Sequence, residues 1–90
     1  MTRVWRIEFL PRARRRLGKL AGRDRVRILA FLDERVAVAE TPRRIGEALK
    51  GPLGGLWRYR VGDFRIIGQI EDERVTVLVV DVGNRREIYG

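Results

Sequence analysis

Ninety residues suffice for one domain with a modest core and little stability to spare. Twenty basic against twelve acidic side chains give a formal charge of +8, while the absence of cysteine and histidine argues against disulfide frameworks, thiolate metal sites and Ser-His or Cys-His chemistry. No apolar run approaches the roughly 20 residues of a spanning helix and no secretory h-region is evident, so a single domain over residues 1–90, cytoplasmic and without metal or cofactor, is expected.

The N-terminal stretch "VWRIEF" alternates Trp5, Ile7 and Phe9 with Arg6 and Glu8, the period of a half-buried strand. Pro11 then fits the first turn of a helix, where its missing N–H costs nothing. Ala13, Leu17 and Leu20 follow at helical spacing and leave the arginines of "RARRRLGKL" outermost, which predicts a short basic amphipathic helix. "AGR" interrupts it. Asp24 is a plausible N-cap for a second helix running to about Ala39, with Ile28, Leu29, Leu32 and Val36 as its apolar stripe and Thr41-Pro42 as its stop. "KGPLGGL" reads as loop. Three strand-like runs close the chain, from Trp57 to Val61, Phe64 to Glu71 and Val75 to Val82. The first two are joined by Gly62-Asp63, a two-residue link suited to a primed turn. The fold class predicted is α+β, ordered strand, helix, helix and three strands, with the two helices on one face of a mostly antiparallel sheet.

Charge is unevenly placed, because residues 1–22 hold seven of the cations and one of the acids. Such a stretch attracts nucleic acid, an acidic protein segment or an anionic membrane face. Arginine supplies eighteen of the twenty cations, a ratio that a GC-rich genome also produces, so position is more informative than count. The positions that stand out are in "LWRYRVGDFR". With Gly62 and Asp63 as the turn, Tyr59 opposes Ile66 and Val61 opposes Phe64, giving an apolar side. On the other, exposed side Arg60 opposes Arg65, with Arg58 two positions along. Cross-strand Cβ atoms lie about 5 Å apart, so like charges there repel by roughly 1 kcal/mol in water and about 3 at an effective dielectric of 20. Solvation, or neutralisation by Asp63 or Glu71, is the plain way to relieve this. An anion bound among the arginines is the other. The terminal "VGNRREIYG" supports the second, since the last strand returns alongside Arg65 and brings Arg85, Arg86 and Tyr89 toward it. Guanidinium forks clamp phosphate through paired donors but are poor bases. Tyr89 is the nearby group with a proton to exchange, provided neighbouring cations lower its pKa.

The segment from "GPLGGLWRYRVGDFRII" to "GNRREIY", with "IEF" and "RARRRLGKL" before it, resembles the RelE/ParE toxin superfamily over nearly the whole chain, and in particular its RelE-type messenger-RNA interferases. The resemblance implies a RelE-like fold and the toxin of a type II toxin–antitoxin system. It also implies a ribosome-dependent, metal-independent endoribonuclease that inhibits translation through attack of a ribose 2′-hydroxyl on the adjacent phosphate. By the same resemblance Arg58 and Arg60 would stabilise the phosphorane, Arg65 would clamp the phosphate, Arg85 would contact it or assist the leaving oxygen, and Tyr89 would be the general base. Asn84 and Arg86 would join Arg58, Arg60, Arg65 and Arg85 in binding RNA. Asn84 departs from the family's usual G-H-R pattern, and an amide cannot exchange a proton at neutral pH. The implied partners are messenger RNA, the ribosome, and a cognate antitoxin wrapping the helices in a hetero-oligomer. Arg12, Arg15, Arg16 and Lys19 would touch either that antitoxin or ribosomal RNA. A ParE-like inhibitor of DNA gyrase, or a degenerate toxin acting only through its antitoxin, is the competing reading.

Overall fold

The computed structural model describes residues 4–84. Strand β1 (Arg6–Phe9) leads into α1 (Pro11–Gly18) and α2 (Gly22–Phe31), followed by a π turn at Leu32–Val36 and a 3-10 turn at Pro42–Arg44. The two-residue strand β2 (Glu47–Ala48) comes next. A 3-10 turn at Gly51–Leu53 separates it from β3 (Trp57–Val61), β4 (Phe64–Glu71) and β5 (Thr76–Asn84). The sheet order is β1-β5-β4-β3-β2; β1 pairs parallel with β5, and every other pair is antiparallel.

The helices carry the chain from one sheet edge to the other, across a single face. Ala13 and Leu17 of α1 are buried there, as are Ile28 of α2 and Leu32 and Val36 of the following turn. They meet Tyr59, Val61, Ile66, Val77, Val79 and Val82 from the sheet, with Trp5 closing one end. Each large aliphatic side chain so buried contributes about 1.5–3 kcal/mol relative to exposure.

Two boundaries of the second helix differ from expectation. It starts at Gly22 after Ala21, with no side-chain cap, and Asp24 lies inside its first turn, where a carboxylate still favours the helix dipole. Regular α-helix ends at Phe31, because the chain widens into the π turn at Leu32–Val36 and keeps both ends of that turn in the core. β2 pairs with β3 in a region read from sequence as loop, and β5 extends past Val82 to Asn84. In the β3–β4 turn only the first central residue has positive φ, at +58° for Gly62, which is the II′ pattern.

A bulge in β5 decides which side chains reach the core. Strict alternation from Val77 and Val79 would turn Asp81 toward the helices. The register instead slips at Val80, so that Ile67 pairs with Asp81 while Gly68 pairs with Val79. Val82 thereby enters the core and the carboxylate leaves it.

Tyr59 anchors the centre. Its ring lies edge-on to Phe31 with centroids 6.4 Å apart, and its hydroxyl donates to the Pro42 carbonyl at 3.0 Å. Burial pushes its pKa up to about 12, partly offset by the Arg43 charge. The fold therefore favours the neutral phenol: its contribution is complete below pH ~10 and is lost as pH rises toward 12, by up to about 3 kcal/mol. Tyr59→Phe is expected to cost about 1–2 kcal/mol at pH 7 and to flatten the fall in stability between pH ~10 and 12. Urea unfolding across that range checks both; an equally steep decline in the variant would assign it to other groups.

Candidate anion site on the sheet face away from the helices

Because side chains alternate along a strand, the register that sends Tyr59 and Val61 into the core sends Arg58 and Arg60 the other way. Arg60 pairs directly with Arg65 and Arg58 with Ile67, as expected from the turn. On the far side of β4, Arg65 is opposed by Gly83, which adds no side chain, and Ile67 by Asp81. Three guanidinium-bearing residues thus share one patch of two neighbouring strands.

Their environments differ. The Arg60 side chain is 58 % exposed and that of Arg58 is 22 % exposed. Arg65, placed by sequence reasoning on an exposed side, is buried, with 6 % of its surface accessible. One of its terminal nitrogens donates to the Phe64 carbonyl at 3.2 Å, while its buried Nε has no partner among the described residues. A buried cation with unused donors favours an incoming anion, since the desolvation cost has been met in folding and the anion restores the missing hydrogen bonds.

The counter-ion is neither Asp63 nor Glu71. Glu71 is held by Arg74 at 2.9 Å on another part of the surface. Glu47 takes the role instead: opposite Arg58 in the β2–β3 register, it ion-pairs with Arg58 and lies 3.9 Å from Arg60. Sequence reading missed this residue because a two-residue edge strand leaves no periodicity. The available signal was its isolation as the one acid between positions 41 and 62.

Beside Ile67 the patch continues into a cavity of about 310 Å³ lined by Arg12, Leu53, Leu56, Ile67, Val80 and Asp81. Of the basic residues on α1, Arg16 turns inward. It donates to both Asp81 oxygens at 2.9 and 3.1 Å, while Arg12 approaches the same carboxylate at 3.5 Å and stays mostly exposed. Arg15 and Lys19 face solvent. Asn84 ends β5 opposite Phe64, in the phase of the helix-facing side chains and one position off the Arg65 row. Arg85, Arg86 and Tyr89 lie outside the described residues. The described part of the site can bind and neutralise an anion. Its arginines cannot exchange protons at neutral pH.

An α+β layer with its helices on one side and an arginine-rich patch on the other defines a class that comparison with known proteins identifies. The model of the ParE toxin of type II toxin–antitoxin systems matches residues 7–89, and the chain belongs to this family, within the RelE/ParE superfamily. It is 34 % identical over 85 residues to Toxin RelG of Mycobacterium tuberculosis, covering 92 % of this chain and 93 % of the relative. The toxin–antitoxin complex RelBE2 of the same organism contains a chain that superimposes with a TM-score of 0.85 at 29 % identity, covering 94 % of this chain and 95 % of that one. The isolated RelE toxin of E. coli superimposes at 0.72 with 27 % identity, covering 94 % and 90 %. The chain is accordingly a type II toxin–antitoxin toxin with the RelE fold.

Proposed function

We propose that this toxin is a ribosome-dependent endoribonuclease that cuts messenger RNA and so inhibits translation. The observation that carries the reading is the cross-strand pair Arg60 and Arg65, with Arg58 on the same row, where two like charges are set face to face. In the proposed reaction the ribose 2′-oxygen forms a bond to the adjacent phosphorus and the bond to the 5′-oxygen breaks, leaving a 2′,3′-cyclic phosphate and a 5′-hydroxyl. Negative charge grows on the phosphoryl oxygens in the transition state, and convergent guanidinium groups stabilise that charge more than the ground state. Arg58, Arg60 and Arg65 supply this stabilisation, and no metal is required for it. Tyr89 takes the 2′-hydroxyl proton and Arg85 supports the departing oxygen; these two roles rest on the resemblance of the terminal "GNRREIY" segment to the family pattern.

Solved relatives include complexes of RelE with RelB, among them the intact E. coli complex. A cognate antitoxin is the corresponding partner here, with Arg15 and Lys19 on the exposed side of α1 suited to an acidic segment that folds on binding. The description of the matching family as ParE toxins favours a second reading, inhibition of DNA gyrase by binding.

Purified toxin added to a translating extract separates the two. Position-specific cuts in ribosome-bound messenger RNA are expected. Gyrase-dependent DNA damage without RNA cuts would replace the first reading with the second. Binding should also weaken steeply with salt, the logarithm of affinity falling by roughly 0.7 per phosphate contacted on a single strand for each tenfold rise in salt concentration. A flat salt titration would remove the phosphate clamp.

A further inference from the structure

The geometry points to Glu47 as an internal competing counter-ion that occupies the phosphate seat of Arg58 and Arg60 and must be displaced when RNA binds. This inference rests on the reading of those arginines as phosphate ligands.

Glu47 is placed by backbone and not by chance side-chain reach. β2 is two residues long and lies at the sheet edge, with Glu47 in register with Arg58. Gly46 allows this approach: a Cβ there would stand 2.9 Å from the Arg58 carbonyl oxygen and 2.9 Å from the Tyr59 ring. The carboxylate then bridges the row, one oxygen on Arg58 and the other 3.9 Å from Arg60. A carboxylate and a phosphodiester each carry one negative charge and offer paired oxygens to a guanidinium fork, so they compete for the same donors. The Glu47 side chain is 61 % exposed, so it can swing into water when a phosphate enters.

Arg65 lies beyond its reach in the contacts seen. Its described contact is with its own strand's backbone, at the Phe64 carbonyl. The seat is thus partly filled by an internal anion at Arg58 and Arg60 while Arg65 keeps its buried donor unused. Competition of this kind lowers affinity for every RNA by the same factor. Its effect on occupancy is selective, since a lone strand with few contacts falls below the threshold for binding and a target that engages further surfaces stays above it.

The test compares the purified full-length toxin with Glu47→Gln and Glu47→Ala, and with Glu40→Gln as a control. That control removes the same charge from a carboxylate paired with Arg44 at 3.6 Å, away from the row. Two probes are titrated: inorganic pyrophosphate, and a short 2′-O-methyl oligoribonucleotide that resists cleavage. Both Glu47 variants are expected to bind pyrophosphate about tenfold more tightly than wild type, the order of one charge-assisted contact released, and Glu40→Gln to match wild type. Unchanged or weaker pyrophosphate binding in both Glu47 variants, or equal tightening by Glu40→Gln, overturns the inference. The oligoribonucleotide is the separate arm for the RNA reading. Tightening for pyrophosphate with no oligoribonucleotide binding by any form and no ribosome-dependent cutting by wild type defeats that reading and leaves the displaced counter-ion in place, whereas ribosome-dependent cutting by wild type without tightening in the variants does the reverse.

Discussion

Arg65→Met is expected to abolish cleavage while leaving thermal stability equal to wild type or raising it by up to about 1 kcal/mol. Two effects of opposite sign meet at this residue. The guanidinium is buried, with 6 % of the residue accessible, and its Nε lacks a partner among the described residues, so the fold bears an uncompensated cost. An apolar side chain of similar length removes that cost, and replacing buried charge by well-packed apolar volume is often neutral or stabilising. Activity moves the other way. Removing one preorganised donor from a developing oxyanion typically costs 10²–10³ in rate, and Arg65 is the most buried member of the row. Arg65→Lys should fall between, since it keeps the charge but loses the fork. Melting curves beside cleavage in a translating extract read both axes. A Met variant that melts far below wild type, or that cuts at an undiminished rate per folded molecule, would show that Arg65 serves the fold and not the reaction.

Asp81→Ala is expected to lower stability by about 2 kcal/mol, far more than loss of an exposed ion pair would. The carboxylate accepts from Arg16 through both oxygens and from the backbone N–H of Val82 at 2.9 Å, while 19 % of the side chain is exposed. Truncation removes the two hydrogen bonds from Arg16 and the one from Val82, and so loosens the join between α1 and β5. Asp72 makes the informative contrast. Its pair with Arg43 is as short, at 2.7 Å, and the guanidinium hydrogen bond holds its carboxyl below the usual range, yet the pair sits in solvent. Asp72→Ala should stay near wild type. Chemical denaturation of the two variants side by side decides it; equal losses would mean that burial of the Asp81 pair carries no extra weight.

Much of the architecture was legible because the patterns are local. Period-two alternation in "WRYRV" and "FRII", with Gly62-Asp63 between them, specifies the hairpin, its register and the Arg60 to Arg65 pairing. Helical spacing of Ala13 and Leu17, and of Ile28, Leu32 and Val36, likewise marks which residues enter the core. Long-range features carried no such mark. The parallel pairing of β1 with β5 joins segments some seventy residues apart, from Arg6 with Thr76 to Phe9 with Val79. The slip at Val80 answers a conflict between alternation and the burial of a carboxylate, which arises only once Asp81 has a helix beside it.

The candidate site divides along the same line. Residue types and spacing by themselves determined that Arg58, Arg60 and Arg65 share a face, since that follows from a two-residue turn and the pleat. Tertiary packing alone decided that Arg65 is buried, that Arg16 turns inward to Asp81, and that Glu47 sits among the arginines. Burial and counter-ion choice depend on what other segments place nearby. A single strand's pattern records the direction of a side chain, and leaves unspecified what it will meet there.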